Sequence, residues 1–84
     1  MPRFFFDLSD NGHFYQDAEG SDLADVRAAE DEAAVAILDM ARDAMPDGTF
    51  RQLSLRARDA AGTQLFEVLV TFELRRNGTL DDGR

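Results

Sequence analysis

The chain contains a single histidine, His13, and histidine is the side chain best suited to proton transfer near neutral pH and to metal binding. Asp10 and Asp17 flank it in the sequence, so His13 could act as a general base or as a metal ligand. An active site, however, needs several such groups to converge. His13 directly follows an Asn-Gly pair that favours a tight turn, and this position predicts a strand residue facing solvent. No catalytic residue is therefore expected.

Carboxylates near the beginning of the chain suggest a hard cation such as calcium, which takes about six to eight oxygen ligands. The candidates are Asp7, Asp10, Asp17 and Glu19. A calcium loop needs alternating acidic ligands, a glycine at its sixth position and a distal glutamate, and neither of the two aspartate-glycine turns supplies them. Turn formation explains aspartate and glycine at these places, so we expect neither a metal site nor a cofactor.

Other patterns of catalysis and nucleotide binding do not occur in the sequence. No serine has a histidine and an acid at usable spacing, and neither GxGxxG nor GxxxxGK is present. The 17 acidic residues exceed the 9 basic ones and give a net charge of -8, which opposes association with phosphate backbones. We therefore expect no enzyme and no direct nucleic-acid partner.

The elements that would position these side chains begin and end with strand pairs. The first pair covers residues 3–8 and 13–17 around the Asn-Gly turn, and a loop follows over 17–21. In the second pair, Leu53, Leu55 and Ala57 alternate with polar residues, and a turn over 59–62 leads into an apolar strand from Leu65 to Leu74. Because this last strand is the longest and most apolar, we expect it in the interior of the sheet.

Between the two pairs, the apolar period changes to that of a helix, from Asp22 or Asp25 to about Met45. Both aspartates can cap its first turn, and the Pro-Asp-Gly sequence after Met45 supplies the stop. The apolar stripe is rich in alanine, which allows close approach to a sheet. It comprises Leu23, Val26, Ala29 or Ala33, Ala36 or Ile37, Met40 and Ala44, widened by Val35 and Leu38.

These elements predict an α+β fold. We expect a two-layer sandwich in which a four-stranded, mainly antiparallel sheet of ββαββ order carries the helix on one face. The 84-residue length allows one small core, which predicts a single domain over residues 1–74, and the polar, glycine-containing end predicts a flexible tail over 75–84. Since the chain has no cysteine and no apolar run long enough to cross a bilayer, we expect a soluble cytoplasmic protein without a membrane partner.

Several short motifs together resemble a known bacterial family. They are Pro2-Arg3-Phe4-Phe5-Phe6, Asp10-Asn11-Gly12, Asp17-Ala18-Glu19-Gly20, an alanine-rich helix with Arg27 and Glu30, and Arg58-Asp59-Ala60-Ala61-Gly62. In this combination, over about residues 2–72, the chain is similar to the domain of unknown function 6894. The resemblance implies a short bacterial protein without an assigned activity. Relatives often carry a histidine after the aromatic triplet, where this chain has Asp7, so no metal or acid-base role carries over to that position.

The face of the predicted sheet away from the helix is the strongest candidate for a function. Alternation places His13 and four larger apolar side chains there, among charged residues, and exposed apolar patches commonly mark association surfaces. The predicted interaction residues are Phe5, Tyr15, Arg56, Arg58, Leu65, Glu67 and Leu69. We expect a non-catalytic interaction or structural module that forms a homodimer through this face or through a sheet edge.

Other interpretations remain open. An antitoxin-like regulatory domain would bind a basic partner protein, to which an acidic helix face offers complementary charge. That face could equally be solvated; it consists of Glu30, Asp31, Glu32, Asp39 and Asp43. Arg56 and Arg58 beside aromatic rings could also form a sheet that stacks bases. The net charge argues against base stacking, and pairing with Glu67 would satisfy the same arginines.

Overall fold

The computed structural model describes residues 1–77 and contains one helix and five strands. In chain order the elements are β1 (Arg3–Asp10), β2 (His13–Tyr15), β3 (Ser21–Asp22), α1 (Val26–Ala44), β4 (Phe50–Asp59) and β5 (Gln64–Glu73). The predicted α+β class with one helix is confirmed. Of the predicted tail, residues 78–84 lie outside the described residues.

All strand pairs are antiparallel, and the sheet order is β2-β1-β4-β5, with β3 also paired to β1. The prediction of four strands in ββαββ order is wrong, because β3 lies where the sequence indicated only a loop. Two residues are too few to show an alternating pattern. Pairing fixes them instead: Asp22 lies opposite Arg3 and accepts hydrogen bonds from its guanidinium group.

The position of β5 also differs from the prediction. This strand lies at an edge of the sheet, while β1 and β4 occupy the centre. The fully buried apolar residues of the sheet are on those central strands, namely Phe4, Leu53, Leu55 and Ala57. Every second residue of β5 is exposed, including Glu67 and Thr71, and this is the pattern of a strand with one solvated face.

Asp25 is the N-cap of α1, and its Oδ1 accepts a hydrogen bond from the amide of Ala28 at 2.9 Å. The other candidate, Asp22, is in β3. The helix ends at Ala44, and Met45 forms the C-cap through a bond from its amide to Ala41 O. The helix therefore begins and ends within the range that the sequence indicated.

One side of the sheet packs against α1 and forms the core. Ala33, Ile37, Leu53 and Leu55 are its buried centre, surrounded by partly buried residues of β1 and β5. The predicted helical stripe is too wide, because Val35 and Leu38 are 60% and 57% exposed. They lie on the opposite side of the helix from Ala33, and a single helix on a sheet buries only one narrow stripe.

No helix among residues 1–77 is both long enough and apolar enough to cross a membrane.

Candidate functional site

No helix or strand among residues 1–77 covers the side of the sheet opposite α1, which we call the open face, although the Asp17–Gly20 loop lies against one end of it. Directly paired residues of antiparallel strands place their side chains on the same face. Across the four strands, the register therefore aligns Phe14, Ser9, Ser54 and Leu69 in one row. Its two outer members are large and exposed, at 61% for Phe14 and 53% for Leu69. The two serines between them form a low floor.

A depression of about 410 Å³ lies at this floor, next to the β1–β2 turn. Its lining consists of Ser9, Asn11, Gly12, Phe50, Gln52 and Ser54, none of which carries a charge. Phe50 is 50% exposed and contributes an accessible aromatic ring. Ser54 is only 6% exposed, and its hydroxyl has no hydrogen-bond partner within residues 1–77. Buried polar groups without a hydrogen-bond partner are uncommon in folded proteins.

The neighbouring row of the open face is charged. It aligns Asp7, Arg56 and Glu67 across the three longest strands. Arg56 contacts Glu67 at 3.3 Å, and the Arg56 side chain remains 54% exposed. The pairing predicted between this arginine and Glu67 is confirmed.

Asp7 is nearly buried, at 8% exposure, and belongs to a network with Arg58. Arg58 donates to both carboxylate oxygens, from Nε at 2.8 Å and from Nη2 at 3.3 Å. The amide of Asp17 donates to the same carboxylate at 2.9 Å. The hydrogen bonds from Arg58 lower the pKa of Asp7, against the opposing effect of burial, and the bond to Asp7 raises the pKa of Arg58. The Asp7 carboxylate accepts three hydrogen bonds in all, and Arg58 donates three from Nε and Nη2, so this pair has a structural role and we call it the clamp.

Asp17 fills the gap in the sheet edge between β2 and β3. Its Oδ2 accepts from the amide of Phe6, and its Oδ1 accepts from the amides of Glu19 and Gly20. Burial alone would raise the pKa of Asp17, but these three backbone hydrogen bonds and the charge of Arg58 bring the pKa below its ordinary value. The carboxylate thus replaces a missing strand residue.

Phe5 is half-buried in this network, because the guanidinium group of Arg58 lies 4.6 Å from the centre of its ring. Gly20 packs close to the same ring. A Cβ atom at Gly20 would lie 2.9 Å from Phe5 Cε2 and 2.9 Å from Arg3 Cγ. Phe5 and Arg58 lie on the open face as predicted, but they are enclosed by the Asp17–Gly20 loop.

A second ion-pair cluster joins the end of the helix to the sheet. Arg51 donates to both carboxylate oxygens of Asp10, and also contacts the Asp47 carboxylate and Ala44 O. The hydrogen bonds from Arg51 lower the pKa of Asp10. Asp10 pairs with Leu53, a core residue, so this cluster is on the helix side of the sheet.

Two aromatic assignments from the sequence are wrong. Tyr15 pairs with Leu8, whose side chain packs on the core, so Tyr15 and His13 are on the helix side and not on the open face. Phe14 takes the open-face position instead. The two-residue Asn-Gly turn requires Asp10 to pair with His13. That pairing determines which residues of β2 share a face with β1, so the sequence already contained the information needed to place Phe14 and Tyr15 correctly. Phe50 was not among the predicted site residues. It precedes Leu53, where the predicted alternation begins, so no alternating pattern indicated that it belongs to a strand.

The free edge of β5 is the other notable feature. Leu74 donates to Thr49 O at 2.8 Å, just beyond the Phe50–Glu73 pair. Hydrogen-bonded residues alternate along an antiparallel pair. Counting back from Leu74 in steps of two, the backbone groups of Val70 and Val68 therefore bond to β4. The backbone groups of Glu67, Leu69 and Thr71 consequently point to the free edge. Leu65, which is 36% exposed, lies at a bulge between Phe66 and Gln64.

In the described part of the chain, no group of three or more histidine, cysteine or acidic side chains is placed to hold a metal ion. The comparison with curated proteins gives no match, and none of the solved structures matches either. A family model does match, over residues 3–71, and its description is a domain of unknown function, DUF6894. The match covers most of the chain, including Asp7, Arg58 and all of the strands except the last two residues of β5. The chain therefore belongs to the DUF6894 family.

Proposed function

We propose that this protein is a non-catalytic interaction module that forms a two-fold homodimer by antiparallel pairing of β5 with β5 of a second copy. The observation that supports this proposal is the free edge of a ten-residue strand, Gln64–Glu73. Pairing of two such edges would join two sheets into one continuous sheet. It would also satisfy the outward backbone groups of Glu67, Leu69 and Thr71.

The composition of β5 favours this use of the edge. Natural proteins protect edge strands with charged side chains, above all lysine, or with proline, bulges or short length. β5 contains neither lysine nor proline, its charged residues are Glu67 and Glu73, and its one bulge lies near its beginning. Its helix-side residues Phe66, Val68, Val70 and Phe72 are only half-buried, so a second copy would cover apolar surface that the chain leaves exposed.

The charges on β5 restrict the register of such a dimer. A two-fold axis at Glu67 would place that carboxylate opposite its own copy, and an axis at Val70 would place it opposite Glu73. Like charges directly opposite each other destabilise a strand pair. An axis at Val68 or Leu69 places no glutamate opposite another. Association centred on Leu69 would set Glu67 opposite Thr71 and bring the two exposed leucines together.

The edge is a better interface than the open face. A dry contact over the depression would leave the hydroxyl of Ser54 without water and without a partner, which costs about 1–3 kcal/mol for a buried polar group. The charged row of Asp7, Arg56 and Glu67 would also have to be desolvated. Pairing at β5 involves neither cost.

Sedimentation equilibrium and amide hydrogen exchange test the proposal together. A dimer with a Kd of about 1 μM is mostly associated at a protein concentration of about 100 μM, so we expect the mass of a dimer at that concentration. We expect slow exchange at the outward amides of Glu67, Leu69 and Thr71. Leu69→Lys should give a monomer, whereas Leu38→Lys, at a similarly exposed position on the helix, should remain a dimer.

A monomer at this concentration would contradict the proposal, as would a dimer in which the outward β5 amides exchange rapidly or which persists in Leu69→Lys. The alternative prediction of an antitoxin-like regulatory domain has a separate outcome. If the protein is an antitoxin-like domain, we expect a monomer that co-purifies with a stoichiometric amount of a basic partner protein.

A further inference from the structure

We propose that the depression on the open face is a binding site for an uncharged polyhydroxyl ligand, a sugar of one or two rings. This site is separate from the β5 edge and does not depend on dimer formation. Its volume of about 410 Å³ is within the range of about 300–1,000 Å³ that is typical of small-molecule sites.

The unpartnered hydroxyl of Ser54 is the first observation behind this assignment. Ser54 is 6% exposed and faces the depression, so a hydrogen bond from a bound molecule would satisfy it. A purely apolar occupant would leave it unpaired. The ligand must therefore bring a polar group to the floor of the depression.

The other lining groups define the chemistry of that ligand. Asn11 Oδ1 accepts from the amide of Gln52, and Gln52 Nε2 donates to Thr71 Oγ1. These bonds fix the two side-chain amides while leaving Asn11 Nδ2 and Gln52 Oε1 without partners in the described chain. Together with the hydroxyls of Ser9 and Ser54, the site offers both donors and acceptors. Ligand hydroxyl groups, which also donate and accept, complement this set.

The exposed ring of Phe50 supplies a flat apolar wall beside these polar groups. A sugar ring presents C–H groups on one face and hydroxyls around its rim, so it can pack on the aromatic ring and bond to the floor at the same time. The lining therefore matches a ligand that has an apolar face and hydroxyl groups at its rim.

Electrostatics favour a neutral ligand over an anionic one. The lining contains no cation, and the residue paired with Phe50 is Glu73. The chain as a whole carries a net charge of -8, which repels anions. A sugar acid should therefore bind more weakly than the corresponding neutral sugar.

Titrations followed by two-dimensional NMR of the ¹⁵N-labelled full chain test the proposal. The probes are methyl β-D-glucopyranoside, maltose, cellobiose and, as the anionic counterpart of glucose, glucuronate. We expect saturable shifts for at least one neutral probe, centred on the amides of Ser9, Asn11, Gln52 and Ser54, with a Kd on the order of millimolar. Glucuronate should bind at least about five-fold more weakly.

Ser54→Ala and Phe50→Ala should each weaken binding of that probe by about five-fold or more, as expected for loss of one hydrogen bond or one ring contact. The matched controls are Ser21→Ala on β3 and Tyr15→Ala on the helix side, which should change the Kd less than about two-fold. Well-dispersed spectra of all four variants establish that they are folded.

Three outcomes would overturn the assignment. The first is the lack of any saturable shift for the three neutral probes up to about 50 mM, far above the expected Kd. The second is equal binding of glucuronate and the neutral sugars. The third is an unchanged Kd in a folded Ser54→Ala variant. None of these results depends on whether the protein is a dimer.

Discussion

Arg58 on β4 donates from its Nε atom to Asp7 on β1 at 2.8 Å, and this contact joins the two central strands of the sheet. The same guanidinium group donates to Asp17 O and covers the ring of Phe5. Sequence patterns assign Asp7 and Arg58 only to alternating strand positions. In the structure they hold the Asp17–Gly20 loop against the open face, where that loop takes the place of a continuous edge strand.

Asp7→Asn should lower the free energy of unfolding by about 1–3 kcal/mol, because a neutral amide loses the charge-assisted bonds from Arg58 in a nearly buried position. Urea unfolding followed by circular dichroism measures the change. Asp39→Asn is the control, since Asp39 is exposed and lies 3.7 Å from Arg42. Its effect should stay below about 0.5 kcal/mol. Equal effects of the two substitutions would contradict the clamp.

Stability should fall as the solution is acidified. Hydrogen bonds from Arg58 and Arg51 lower the pKa values of Asp7 and Asp10 in the folded state, and backbone hydrogen bonds lower that of Asp17. The unfolded chain therefore binds protons at higher pH than the folded protein does, so acid favours unfolding. The contribution is fully present above about pH 5 and is lost as the pH falls through the folded-state pKa values.

Urea midpoints measured from pH 7 to pH 3 check this dependence. We expect a nearly constant midpoint down to about pH 5 and a decline below it. Asp7→Asn should show a smaller decline than the unsubstituted protein, because one of the three lowered groups no longer titrates. A midpoint that rises on acidification would show that the sign is wrong.

Gly20→Ala should be more destabilising than Gly48→Ala. Both glycines have positive φ angles, +75° and +80°, so both substitutions cost about 1 kcal/mol in backbone strain. Only at Gly20 does the new methyl group meet neighbours, at 2.9 Å from atoms of Arg3 and Phe5, which adds about 1–3 kcal/mol of overpacking. Thermal unfolding of the two variants gives the difference directly. Equal losses would place the loop farther from Phe5 than the structure does.

The sequence predicts the helix and the long strands because each has many residues with a clear period. Ala29, Ala33 and Ile37 recur at helical spacing, and Leu53, Leu55 and Ala57 alternate. The two-residue strand at Ser21 shows no period, and only its pairing with β1 defines it. The edge position of β5 is a property of the assembled sheet, so the apolar character of that strand could not reveal it.

The candidate site is less predictable than the fold. Arg56 and Glu67 could be paired from the alternation of their strands, and the structure confirms this contact. The depression, by contrast, depends on Ser9 and Ser54 lying side by side on different strands, far apart in sequence. Small residues carry no signal of their own, since serine is common both at the surface and in turns. Their role emerges only from the register of β1 against β4.

Ile37→Ala and Leu38→Ala should differ sharply, although the two residues are adjacent in the same helix. Ile37 is 2% exposed and packs in the core with Leu53 and Leu55, so its truncation should cost about 2–5 kcal/mol through lost burial and a cavity. Leu38 is 57% exposed, and its truncation should change stability by less than about 0.5 kcal/mol. Urea unfolding at pH 7 measures both. If Leu38→Ala lowered the free energy of unfolding as much as Ile37→Ala does, a partner or a second copy would have to cover the outer surface of α1, which is exposed in this fold.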